Sequence, residues 1–190
     1  MNRHMRGTLF GAGLLLLAAG CSPESTTRLS GTVAEVNEQT VSILPATGEG
    51  LRSFTLPGDS GTKALLPGAP VDVEYRGTYR EGVEAIRIKT DSTYMEAVGS
   101  WTVPDPIAPD SAMGFELRTE GRARSIRMAT LCYHGWSLTG ERGRILLTGE
   151  SIGNGQTIPF TETGLIARGA DRRLTLVIEG SSLRYVKEEE

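Results

Sequence analysis

The chain has 190 residues, 38% apolar and 23% charged, an ordinary globular composition sufficient for one large or two small domains. Twenty basic residues face 23 acidic ones for a net charge of −3, so the chain lacks the broad basic surface that a nucleic-acid partner requires. Twenty-four glycines and nine prolines, spread along the whole length, point to many turns between short strands.

Residues 1–21 read as a targeting segment and not as part of a fold. Arg3 and Arg6 form a basic start, and Leu9 to Ala19 is an apolar run too short to span a bilayer. The run Leu14-Leu15-Leu16-Leu17-Ala18-Ala19-Gly20-Cys21 resembles a bacterial lipobox. That resemblance implies cleavage before Cys21 by signal peptidase II, followed by lipidation of its thiol and acylation of the new amine. Several acyl chains make a firm anchor where one binds only marginally. Ser22, and not Asp, follows the cysteine, which in the bacterial sorting pattern implies the outer membrane. The leader holds two basic residues and no acidic one, so its removal moves the net charge from −3 to −5.

The reactive inventory is short. With Cys21 lipidated, Cys132 is the one remaining thiol, so no intramolecular disulfide is expected, and it reads as a small buried apolar residue. With His4 in the leader, His134 is the sole mature histidine. No spaced ligand set for a metal and no cofactor motif follows from such an inventory.

Ser22 to Thr27 has nothing to bury and reads as a solvated tether. Three strands follow, at Leu29 to Val36, Thr40 to Leu44 and Leu51 to Leu56. Thr62 to Gly68 suits one helical turn stopped by Pro67-Gly68. Val71 to Tyr75 then alternates cleanly, and Val83 to Ile88 makes a fifth strand. Five strands with a helical insert after the third resemble a small OB-like barrel over residues 28–90. Oligonucleotide binding would need exposed aromatics in a basic groove, whereas Phe54, Tyr75 and Tyr79 lie among a majority of acids.

Lys89 to Thr93 is polar and reads as a linker into a second domain at 95–188. From Gly99 the pattern gives eight strands: Ser100 to Val103, Gly114 to Thr119, Arg122 to Met128, Tyr133 to Leu138, Arg144 to Ser151, Gln156 to Ala167, Arg173 to Glu179 and Leu183 to Lys187. Asn154-Gly155 is the strongest hairpin signal, because a type I′ turn needs positive φ at both central residues. Eight up-and-down strands close into a barrel that side chains fill or that holds one small ligand.

Gly99-Ser100-Trp101, the segment Pro104 to Pro109, Gly114 to Leu117, Ser125 to Leu131, Tyr133, Trp136 and Gly149 to Gln156 resemble the short lipocalin-like domain of bacterial envelope lipoproteins. The resemblance covers roughly 95–188 and implies no catalytic residues. Trp101, Phe115, Trp136 and Phe160 are then core or the wall of an apolar pocket. Strict alternation puts His134 on the same inner face as Trp136, where it and the indole N–H groups would orient a ligand, and sends Ser137 to the opposite face.

A hydrolase is disfavoured. Gly149-Glu150-Ser151-Ile152-Gly153 has the spelling of a nucleophile elbow, but it falls between two strands and not at a strand-to-helix turn. Glu150 and Glu162 as a glycosidase pair are equally well explained as surface acids. The expectation is an all-β, non-enzymatic lipoprotein: a five-stranded OB-like barrel, then an eight-stranded lipocalin-like barrel. Its partners would be the membrane, through Cys21, and either a small amphipathic ligand or an envelope protein reached through loops.

Overall fold

The computed structural model describes residues 25–58 and 65–188. The leader, Cys21 and residues 62–64 of the helical turn expected at Thr62–Gly68 lie outside the described residues, and the described remainder, 65–68, ends in a turn at Pro67-Gly68 with no helix. The N-terminal half forms β1 (Thr26–Val36), β2 (Thr40–Pro45), β3 (Arg52–Thr55), β4 (Pro70–Arg76) and β5 (Val83–Thr90). These five strands close into a barrel in the order β1-β2-β3-β5-β4. Closure needs one strand to pair on both sides, and the eleven-residue β1 does so, with β4 through its first half and β2 through its second. A bulge between Val33 and Glu35 supplies the bend. Gly31 lies at the crossing of the two pairings, where a Cβ would collide with the Leu44 carbonyl. The pair β3–β5 is the parallel one.

Alternation along these strands sends Val33, Val41, Ile43, Phe54, Val71, Val73, Tyr75 and Ala85 inward. Burying each large apolar side chain contributes about 1.5–3 kcal/mol before chain entropy is set against it. The rings of Phe54, Tyr75 and Tyr79 cluster within 6.3 Å of one another, Tyr79 edge-on to the other two, so they face each other and not a groove. β1 starts at Thr26, two residues inside the expected tether.

The polar stretch expected as a free linker is folded. β5 runs to Thr90, and Asp91 caps a short helix α1 (Ser92–Ala97), accepting the Thr93 N–H at 2.7 Å. Thr93, Tyr94 and Ala97 are buried, which the polar composition of 89–93 does not reveal. Polar residues can read as linker or as cap, and here Asp91 serves as the cap.

Eight further strands follow: β6 (Gly99–Pro104), β7 (Ala112–Leu117), β8 (Ala123–Ile126), β9 (Leu131–Leu138), β10 (Arg144–Gly153), β11 (Gln156–Arg168), β12 (Leu174–Ile178) and β13 (Arg184–Lys187). They form one antiparallel sheet in the order β8-β7-β6-β13-β12-β11-β10-β9. All eight expected strands are present, and Asn154 and Gly155 have φ of 52° and 73°, as a type I′ turn demands. The sheet curls until its edges β8 and β9 meet. An isolated bridge joins Arg122 to Gly135, and elsewhere the Ser125 hydroxyl does the joining, donating to the Leu131 carbonyl at 2.6 Å and accepting the Tyr133 N–H at 2.8 Å.

Because successive strands alternate in direction, α1 shares one end of this barrel with the β7–β8, β9–β10 and β11–β12 connections. We call it the lower end. The upper end carries the β6–β7, β8–β9, β10–β11 and β12–β13 connections.

Candidate functional site

The lower half of the barrel is filled. Trp101, Leu117, Ile145, Leu147 and Leu176 are at most 1% exposed, and α1 closes the end beneath them. The helix is held by the Trp101 indole N–H on the Ala97 carbonyl at 2.7 Å and by the Gly143 N–H on Thr93 Oγ1 at 2.9 Å. Trp136 packs on the Tyr94 ring at 5.0 Å, and its own N–H goes to the Arg118 carbonyl at 2.7 Å. Both indole donors are thus spent on backbone carbonyls and are not available to orient a ligand. Tyr94 also ties the two halves of the chain together: its hydroxyl donates to the Pro67 carbonyl and accepts the Glu120 N–H, both at 2.8 Å. Burial raises the Tyr94 pKa above the usual tyrosine value, although the Glu120 N–H opposes it.

His134 is exposed, contrary to the inner-face placement that alternation gives it. The cause is a bulge: Thr148 pairs with Gly135 and Gly149 with Tyr133, so His134 has no partner and the phase of β9 slips by one. Tyr133 and Trp136 therefore both face inward, and His134 and Ser137 are both exposed. Cys132, expected to be buried, is half-exposed opposite Glu150. The Gly149–Gly153 string lies within β10 as an ordinary paired strand, with no elbow. Glu150 is exposed while Glu162 falls on the inward row with Phe160, Gly164 and Ile166, so the two carboxylates lie on opposite faces.

The upper half is built differently. Its floor is an aromatic column in which Phe115 lies 4.7 Å from Tyr133 and 4.9 Å from Tyr185, all three rings buried. Phe160 stands on Tyr133 at 5.3 Å and is only half-buried, as are Met113 and Leu131 on the same inner row. Gly149 makes room for Phe160, since a Cβ there would sit 2.5 Å from its ring. Into this apolar mouth points the Glu162 carboxylate, which accepts the Tyr133 hydroxyl at 2.9 Å through Oε2. Oε1 takes no donor among the described residues. Burial, then the Glu162 hydrogen bond and charge, push the Tyr133 pKa far upward, and burial with the same charge raises that of Tyr185. Both phenols therefore stay protonated as neutral donors beside the carboxylate.

Of the residues singled out from sequence, the structure places Trp101, Phe115 and Trp136 in the packed interior, Phe160 at the mouth and His134 outside. Of the polar members of the mouth, Glu162 enters the sequence reading only as half of a glycosidase pair, Tyr133 only within the lipocalin-like resemblance, and Tyr185 not at all. Their one available signal is an acid standing on the apolar row of β11. Among the described residues no group of three or more His, Cys, Asp or Glu side chains could hold a metal, and no helix is long and apolar enough to cross a membrane.

The lipocalin-like family's sequence model matches residues 93–188, just over half of the chain and the whole of the eight-stranded sheet with most of α1. The chain belongs to the lipocalin-like family. A crystal structure of a lipocalin-like protein from Bacteroides thetaiotaomicron VPI-5482 is similar to it, at 41% identity over 48% of this chain and 96% of that one, with a TM-score of 0.41. No curated protein matches the chain. The lipocalin-like assignment suggests a binding role, and the mouth is the part of this domain with half-exposed apolar walls and an unclaimed polar atom.

Proposed function

We propose that the protein is a lipid-anchored, non-enzymatic binding lipoprotein of the bacterial envelope. In this reading the upper mouth of its lipocalin-like barrel holds a small amphipathic ligand. The observation that carries it is Glu162: a half-buried carboxylate on the inward row of β11 next to Phe160, holding the Tyr133 hydroxyl with one oxygen and leaving the other open. Such a group selects a ligand whose apolar body lies on Phe160 and whose amine or hydroxyl donor reaches Oε1. The filled lower half limits the ligand to the depth of the mouth.

Anchoring through Cys21 at the outer membrane agrees with the geometry of β1. Only Ser22 to Ser25 separate Cys21 from β1, a reach of roughly 15 Å when fully extended. Thr26 pairs with Arg76, at the opposite end of β4 from Pro70, and the Pro67–Pro70 end carries the Tyr94 junction. The five-stranded barrel, whose strand order supports an OB-like description, would then act as a spacer holding the mouth away from the bilayer. Replacing Cys21 with Ala should move the protein from the membrane to the soluble fraction without unfolding it. Mutant protein that still sediments with membranes after a high-salt wash would refute the anchor.

The ligand reading is tested by thermal unfolding with alkyl amines, fatty acids, sterols and bile-acid-like amphiphiles. A ligand at a hundred times its Kd adds about 2.7 kcal/mol of stability. Alkyl amines should give the largest shift, and Glu162→Gln and Phe160→Ala should each remove it. No shift with any member of the panel would exclude this class of ligand.

One observation favours a second reading, an inhibitor or structural accessory acting through loops. Ile107 in the β6–β7 loop is 92% exposed and Ile158 on the β10–β11 hairpin is 57% exposed, both at the upper end. Native mass spectrometry on protein purified from its host separates the two. A retained small molecule supports the carrier, and a clean apo mass with a co-purifying protein supports the accessory.

A further inference from the structure

The lower end of the same barrel carries a second cleft, of about 640 Å³, beside α1 and where Leu66 of the N-terminal half approaches. Its apolar lining is Leu66, Val98 and Leu174; its charged lining is Arg168, Arg172, Arg173 and Lys187, with Glu188. Four cations in one cleft are conspicuous in a chain whose net charge is −3.

Two of the four are already engaged. Arg168 donates to Glu96 Oε1 at 3.1 Å and to the Arg172 carbonyl at 3.0 Å, while Lys187 donates to the Glu96 carbonyl at 2.9 Å and stands 5.9 Å over the Trp101 ring. The nearby acids are engaged as well. Glu96 holds Arg168, Asp171 accepts the Arg173 N–H at 3.1 Å, and Glu188 accepts the Thr102 hydroxyl at 3.0 Å.

The guanidinium groups of Arg172 and Arg173 have no hydrogen bond or ion pair among the described residues. Arg172 is moreover held at φ of 68°, a left-handed conformation in which Gly or Asn is the ordinary occupant of a turn. A long cation kept there by the Arg168 clamp and by the Gly169–Arg173 backbone bond is a local cost that turn formation does not require. The same turn with glycine would fold more easily and would lack the charge.

We infer that this cleft is a second ligand site, which takes an anionic amphiphile. Arg172 and Arg173 would pair its phosphate or carboxylate head, and Leu66, Val98 and Leu174 would cover the first part of its alkyl chain. A planar guanidinium offers the paired donors that a phosphate or carboxylate accepts, which a single ammonium does not. A volume of this size suits a head group with a short length of chain. The head could belong to a free molecule or to a membrane lipid.

The test is isothermal titration of the full chain with dodecyl phosphate below its micelle concentration, beside inorganic phosphate and dodecyltrimethylammonium. Saturable binding of dodecyl phosphate is expected, at least tenfold tighter than inorganic phosphate. The double variant Arg172→Gln/Arg173→Gln, whose side chains are exposed and unpaired, should lose at least tenfold in affinity with an unchanged circular dichroism spectrum. Glu162→Gln should bind dodecyl phosphate like wild type, which separates this cleft from the mouth at the other end. Co-flotation with phosphatidylglycerol vesicles, lost in the double variant, would identify the source as a membrane lipid; dodecyl phosphate binding without flotation would identify a free ligand. Absence of saturable binding, equal affinity for the ammonium surfactant or for inorganic phosphate, or undiminished affinity in the double variant would each overturn the site.

Discussion

The two barrels of this chain close by different means. In the five-stranded barrel the backbone does it: β1 pairs on both sides and β3 meets β5 in parallel, so every strand has two ladder partners. In the eight-stranded barrel the edges β8 and β9 meet across a seam held by one serine hydroxyl and one isolated bridge. A ladder depends on no particular side chain, whereas the seam depends on Ser125, and the roundness of the larger barrel rests on the aromatic column inside it. Sensitivity to single substitutions should therefore concentrate in the C-terminal half.

The largest effect is expected from Trp101→Ala. The ring is fully buried and its N–H holds α1, so the variant should lose about 3–5 kcal/mol in denaturant unfolding. A loss below 1 kcal/mol would mean that the interior is not packed around this ring. Ser125→Ala should cost about 1–3 kcal/mol by leaving the Tyr133 N–H and the Leu131 carbonyl without their partner. Amide exchange should quicken in β8 and the upper part of β9 and stay unchanged in β1 to β5. Uniform exchange would show that the seam is held by something other than the serine. Tyr94→Phe removes the hydrogen bond to Pro67 that crosses between the halves, together with the one from the Glu120 N–H within the second half, with an expected loss of roughly 1–2 kcal/mol and a separation of the two unfolding transitions by calorimetry.

The smallest effects are those of pH. The Ser30 hydroxyl and then Arg28 hold the Asp72 carboxyl below its usual range, and Arg118 does the same for Glu116. A depressed carboxyl stabilises above its unfolded pKa of about 4 and loses that contribution as pH falls through the folded value. Acid should therefore weaken one site in each barrel, each by no more than a fraction of a kcal/mol because the pairs are partly solvated. Alkali should weaken the C-terminal half. Tyr94, Tyr133 and Tyr185 have raised values, so their contribution is whole below about pH 10 and fades above it, when the unfolded chain can ionise and the folded one cannot. Titrated beyond pH 10, the Phe115 column should loosen, and ring resonances of Phe115, Tyr133 and Tyr185 that stay unchanged in that range would contradict this.

How much of this is legible without coordinates depends on whether a feature is local. Asn154-Gly155, the eight strands of the second half and the alternation of β4 are written in short windows, and each falls where the pattern puts it. The orientation of His134 is not, because one extra residue in β9 reverses its face; the adjacent Gly135 is its one mark, since a glycine inside a strand often accompanies a bulge without saying which residue is displaced. Asp91 to Thr93 look like linker because a capping acid has the same composition as a solvated one. Glu162 could have been flagged by its place between Phe160 and Gly164 on the inner row. Its partner Tyr133 depends on the bulge, and Tyr185 arrives from a strand that is distant in sequence.

In the lipocalin-like sheet every pair of neighbours is consecutive in sequence except β6 and β13, which meet through Thr102 with Val186 and Trp101 with Lys187. Hairpins can form one after another as the chain emerges, at small loop-closure cost, but the first strand waits for the last. Until Lys187 reaches Trp101, β6 and β13 are unpaired edges, and β8 and β9 are joined only across the Ser125 seam. Synthesis of the final strand therefore sets the moment at which a nascent molecule ceases to be prone to pairing with its neighbours. A chain in transit across a membrane would remain in that state for as long as its C-terminal end lagged behind.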